Sequence, residues 1–192
     1  MAHPPFDASK AVTFDLSRGQ IQKEDEPRLL VSASALIGLC QAAGGDATSA
    51  FARGTGEAIG DAIARRFERA GGDASGAPIE IVVEHLAGEL ALAGFGALSI
   101  ERWGRALVLV VDRAPDGTDG DRILAPLLAS AVARAARVEA RCVRLSRDGD
   151  RARFLVTGPK AADKVKDWLL AGISWGEALV RLHPGGMQAG GS

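Results

Sequence analysis

Side chains that could do chemistry are few and scattered. His3, His85 and His183 fall in a Pro-containing arm, a helical stretch and the tail, so their spacing builds no serine–histidine–acid or cysteine–histidine arrangement. His85, flanked by Glu84 and Glu89, is expected at a solvent-facing helix position. Cys40 and Cys142 have no paired Cys or His nearby, which argues against a zinc motif and a disulfide framework and predicts two reduced thiols. Gly54-Thr55-Gly56 with Gly60 has a superficial likeness to a phosphate-binding loop. It lies inside a helical pattern, with no buried strand before it and no Gly-Lys-Ser/Thr after it, so nucleotide binding is not expected. The arginines from Arg134 to Arg153 have few aromatics among them and do not resemble a stacking platform for single-stranded nucleic acid. They read as a solvated sheet face, or alternatively as a basic face for an acidic protein or anionic lipid heads.

The bulk properties set limits on the class of protein. A net charge of -1 gives no field strong enough to hold nucleic acid, and 47% hydrophobic with 24% charged residues is the balance of a folded domain. Apolar runs such as Ala106 to Val111 are far short of the roughly 20 residues a membrane span needs. Asp7 and two prolines interrupt the first dozen residues, which does not fit a secretory signal; the expectation is a cytoplasmic protein without cofactor or metal.

The elements that must position any site follow from period and punctuation. Residues 1–26 read as an arm with one short strand near Val12 to Leu16, 27–183 as a single α+β domain, and 184–192 as a flexible glycine-rich tail. Ser32 or Ser34 can cap a helix running to about Ala43, stopped by Gly44-Gly45, after which Asp46 can cap a helix from about Ala47 to Ala70. Gly54, Gly56 and Gly60 within that helix each cost about 1 kcal/mol against Ala, so close approach of another backbone, in a tight crossing or a dimer seam, is implied. Pro78 opens a third helix with an Ile79, Val82, Val83, Leu86, Leu90 stripe. Two hairpins follow, one turning at Trp103-Gly104 and one at Asp148-Gly149, with a helix from Ile123 to Ala136 between them and Asp121 as its candidate cap. The simplest assembly is a four-stranded, mainly antiparallel sheet packed on several helices. Pro159 and Ser174 start two last helices, which Trp168 and Trp175 dock on the body.

Three segments carry a family resemblance: Arg28-Leu-Leu-Val-Ser leading to Gly44 and the glycine-spaced stretch Ala52 to Gly60; the helix, Gly-Phe-Gly turn and hairpin of Leu86 to Val111; and the hairpin Val138 to Val156. In these the chain resembles the small-molecule-binding domain of the vinyl reductase family, which shares its fold with the small subunits of the TRAPP tethering complex. The resemblance implies a ligand cavity between helices and sheet, and a dimer formed through the helical face. It also places Cys142 at the first of two hairpin cysteines that hold zinc in some relatives, but Ala152 occupies the second place, and one thiol cannot complete a four-coordinate zinc site. The candidate pocket residues are therefore Phe51, Val82, Leu86, Val108, Cys142 and Phe154, with core packing as the alternative role for the hairpin pair. Gly54, Gly56 and Gly60 are the candidate dimer interface. Cys40 is either an acylation site, as in a related tethering subunit, or a buried structural thiol. The expected function is non-catalytic binding or sensing of a hydrophobic or aromatic molecule; the alternative is an adaptor with a filled cavity that dimerises and binds a partner protein.

Overall fold

In the larger sheet, two hairpins meet through their second strands. β4 (Ala97–Trp103) pairs with β5 (Ala106–Asp112), β6 (Arg141–Asp148) pairs with β7 (Arg151–Thr157), and β5 pairs with β7, giving the fully antiparallel order β4-β5-β7-β6. The computed structural model describes residues 6–7, 11–24, 26–104, 106–115 and 117–183, with the side chains of 117–120 excepted. His3 and the tail read for 184–192 lie outside the described residues.

β5 is apolar along nearly its whole length because both of its faces are covered. Leu109 and Val111, with Ala152 and Phe154 beside them on β7, face one helical layer: α2 (Gly45–Arg69), α3 (Ile79–Leu92) and α4 (Gly117–Ala136). Val108 and Val110, with Leu145 and Leu155, face the other, formed by α5 (Pro159–Leu170) and α6 (Trp175–Leu182). Trp168 and Trp175 pack into this outer cluster as expected, and Trp175 meets the Trp103 ring edge-on at 4.7 Å.

The tightest helix contact is the crossing of α2 and α4. A Cβ on Gly60 would stand 2.6 Å from Arg134 Cβ and 2.8 Å from the Ala131 carbonyl oxygen, and one on Gly56 would run into the Leu127 carbonyl. Both glycines thus face α4 of the same chain, where the lost helix propensity is offset by backbone-to-backbone packing. Around Gly54, by contrast, no atom lies within 4 Å of an added Cβ.

α1 (Ala33–Ala43) begins where Ser32 Oγ accepts the Ala35 N–H at 3.2 Å. Its last turn runs straight into α2 through Gly44, whose φ of 87° suits a residue without a Cβ. α2 therefore starts at Gly45, and Asp46, expected as its cap, sits in the first turn. Thr48 Oγ1 braces the corner by donating to the Cys40 and Gly44 carbonyls, both at 2.9 Å.

The N-terminal segment holds more than the single strand read near Val12 to Leu16. β1 (Val12–Asp15), β2 (Gln20–Lys23) and β3 (Glu26–Arg28) form a small antiparallel meander. It is stitched to the body by charge: Lys23 Nζ and Arg66 Nη2 both bond the Glu89 carboxylate, which is 2% exposed, and Arg66 Nε donates to Glu24 Oε1 at 2.7 Å. Phe6 lies under the Arg66 guanidinium at 4.8 Å and meets the His85 ring edge-on. His85 is consequently not solvent-facing: it is 1% exposed, enclosed by Phe6 on one side and Phe67, at 5.1 Å, on the other.

Candidate functional site

A groove of about 670 Å³ opens where the α1–α2 corner meets α4 and the start of β6. Ile37, Cys40 and Gln41 of α1 form one wall, and Gly44, Gly45, Thr48 and Ser49 of the corner form its floor. Arg122, Ile123, Ala125, Pro126 and Ala129 of α4 form the second wall, and Arg141 with Cys142 closes the end. The volume falls within the ~300–1,000 Å³ typical of small-molecule sites. Most of the lining is apolar, and Gly44-Gly45 lets the corner pass without side chains that would fill it. Pro126 on the α4 wall has no N–H to give the Arg122 carbonyl one turn earlier, so the helix is locally loosened on the groove side.

Cys142 is half-buried, and burial pushes its thiol well above the usual cysteine range. At neutral pH it is a protonated, uncharged piece of wall rather than a nucleophile. Cys40 is buried on the facing wall, and both cysteines are free thiols.

Behind the groove, β6 is fixed to α4 by charge. Asp121, 4% exposed, accepts from Arg144 Nη1 at 3.0 Å and Arg147 Nη1 at 2.6 Å, and Arg147 Nη2 also reaches the Ala114 and Pro115 carbonyls. Asp121 is thus an internal anchor of α4, which begins at Gly117, and not its cap. A register shift between Arg144 and Ser146 makes this possible. Cys142 and Arg144 face the helices by simple alternation; the extra residue returns Arg147 to that same side, opposite Ala152, where strict alternation would have placed Ser146. The arginines expected on a solvated sheet face are instead largely paired, with Arg151 and Arg153 sharing Glu101 on the outer side.

Of the residues read from sequence as pocket, Cys142 lines this groove. Val82, Leu86 and Phe154 are packed in the core between the sheet and α2, α3 and α4, and Val108 points into the opposite layer against α5 and α6. Phe51, 39% exposed, is on α2 outside the groove lining. Ile37, Arg122, Pro126, Ala129 and Arg141 were missed as a set, because they come together only through the α1–α2 corner. The one available signal, Gly44-Gly45, reads equally well as a helix stop. Among the described residues, no group of three or more His, Cys, Asp or Glu could hold a metal ion, and no helix is long and apolar enough to cross a membrane.

These features define the class: an α+β domain whose antiparallel sheet lies between two helical layers, with a groove beside an edge strand. Among solved structures the chain is similar to the phenol-responsive sensory domain of the transcription activator PoxR, determined with phenol. The TM-score is 0.52 at 12% identity, over 92% of this chain and 93% of that one. At that identity the likeness carries the fold. No family model matches the chain, and no curated protein does.

Proposed function

We propose that this chain is a non-catalytic, cytoplasmic binding or sensing domain that takes a small apolar or aromatic molecule into the groove between α1, α4 and β6. The observation that carries the reading is the groove itself, roomy and mostly apolar, walled by a protonated Cys142 and without a nucleophile–base pair. The similarity in fold to a domain that responds to phenol supports it.

Thermal unfolding with a panel of phenols and larger aromatic compounds tests it. A ligand at a hundred times its Kd stabilises by about 2.7 kcal/mol. For a chain of this length that is a rise of about 5 to 10 °C in Tm. Ala129→Trp, which fills the groove, should abolish the rise. A broad panel that moves neither protein defeats the reading.

A second reading, a homodimer that presents this site to a partner protein, is favoured by one surface. Leu29, Leu30 and Leu39 are 91%, 86% and 66% exposed, and with Val31 they line α1 and the segment before it. Large apolar side chains so grouped mark an interaction face. With Gly56 and Gly60 occupied by α4, the dimer contact would fall to this face and to the outer side of α2 around Gly54. Leu39→Glu should convert a dimer to a monomer in sedimentation, and a wild-type protein that sediments as a monomer at high concentration excludes it.

A further inference from the structure

The small N-terminal sheet is held on differently from the rest of the molecule. Among the described residues, none of β1, β2 or β3 belongs to either apolar cluster, and Glu26, Pro27 and Arg28 of β3 are all exposed. Strands of three or four residues without a share in the core are marginal by themselves. Their hold on the body is the ion cluster, with Lys23 and Glu24 on the meander side, Arg66 on α2 and Glu89 on α3. That cluster can divide without stranding a charge. If the meander leaves, Arg66 and Glu89 keep each other, while Lys23 and Glu24, adjacent in the chain, go together into water. Phe6 adds an apolar plug: it seats on Gly88 of α3, where a Cβ would run into its ring, between Arg66 and His85.

α1, one wall of the groove, hangs from this sheet. Residues 29–32, all exposed, join β3 to its start, and within α1 only Ile37 and Cys40 are buried. The far end of α1 is fixed, because Thr48 ties the Cys40 and Gly44 carbonyls into the corner with α2. The end that can lift is therefore the one held by the meander.

We infer that α1 is a flap over the groove and that the N-terminal arm is its latch, clasped by Phe6 and by the Lys23, Glu24, Arg66 and Glu89 cluster. Release of the arm lifts α1 from its first turn and opens that wall, whatever the groove holds.

Cys40, 8% exposed on the inner side of α1, reports the opening. In the full-length Cys142→Ala protein it is the only thiol, and its reaction with DTNB under native conditions measures how often α1 lifts. Adding Phe6→Ala should speed the reaction about tenfold or more, because the local opening loses its plug. Gly88→Ala, which displaces the plug while giving α3 a better helix former, should also speed it. Val165→Ala, on α5 in the opposite layer, serves as the control. It should lower the urea midpoint at least as far as Phe6→Ala and leave the Cys40 rate near that of the parent. If either arm variant leaves the Cys40 rate at the parent value, or if Val165→Ala raises it as much as Phe6→Ala does, the latch is overturned. No ligand enters the measurement, so its failure and the failure of the binding function are separate results.

Discussion

Gly54 and Gly60 lie six residues apart on one helix, and the same substitution should act on them with opposite sign. Alanine at either position gains up to about 1 kcal/mol in helix propensity. At Gly54 no atom within 4 Å opposes the new methyl, so Gly54→Ala should stabilise by about 0.5 to 1 kcal/mol. At Gly60 the methyl would stand 2.6 Å from Arg134 Cβ and 2.8 Å from the Ala131 carbonyl. Both obstacles are anchored in the α4 backbone and cannot swing aside as a side-chain tip would. Overpacking of this kind costs about 1 to 3 kcal/mol, so Gly60→Ala should be destabilising by about 1 to 2 kcal/mol after its propensity gain. At about 2 to 4 °C per kcal/mol, Tm should rise by about 1 to 4 °C in Gly54→Ala and fall by about 2 to 8 °C in Gly60→Ala. Urea unfolding at matched protein concentration measures both, and the double variant should show nearly additive effects. If Gly60→Ala stabilises as much as Gly54→Ala, the close crossing of α2 and α4 is wrong.

Glu89→Gln should leave Lys23 and Arg66 without their shared countercharge and lower stability by about 3 to 5 kcal/mol in urea unfolding. The quadruple replacement Lys23→Met, Glu24→Gln, Arg66→Met, Glu89→Leu should be closer to wild type, because Glu24, which also pairs with Arg66, is then not stranded either. The hydrogen bond from Arg153, with further help from Trp103 and Arg151, holds the Glu101 carboxyl below its usual range. A depressed folded-state pKa gives stability that is fully present above the unfolded value and is lost as pH falls through the folded one. Glu101→Gln should therefore lower stability at neutral pH, and the difference from wild type should vanish as pH falls through and below the ordinary glutamate range; an unchanged acid limb in the stability curve would count against the outer ion pairs.

What the sequence makes legible here is mostly local. Asp148-Gly149 marks its hairpin because the turn needs a left-handed residue, and Gly149 has φ of 58°. The Ala106 to Val111 run reveals a strand covered on both faces. Val108 was grouped with Cys142 and Phe154, and long-range register sets them on different faces of the sheet. Leu109 sits opposite Phe154, which sends Val108 to the other layer, and no local pattern encodes which strand β5 will pair with. His85 was misread because a polar residue between glutamates looks exposed, while the ring that covers it arrives from Phe6, far away in the chain. Asp121 looked like a cap because Gly117 and Gly120 resemble a loop, and its real role depends on a bulge in β6 that adds one residue without any distinctive residue type. The groove was legible only in part, since Cys142 alone of the expected residues lines it and the rest assemble at a corner between two helices.

The order β4-β5-β7-β6 leaves β6 as an outer strand, with a row of backbone donors and acceptors that no neighbouring strand occupies. Such a row is a template on which another molecule's strand can add. Arg141, Arg144 and Arg147 punctuate it, and the irregularity after Arg144 spoils its straightness. A second copy approaching edge to edge would meet the exposed Arg141, while Arg144 and Arg147 are held back on Asp121. That exposed guanidinium thus serves solubility by discouraging an added strand. Arg141→Val, which leaves the pairs of Asp121 intact, would be expected to appear in the pellet before any loss of fold could be measured in solution.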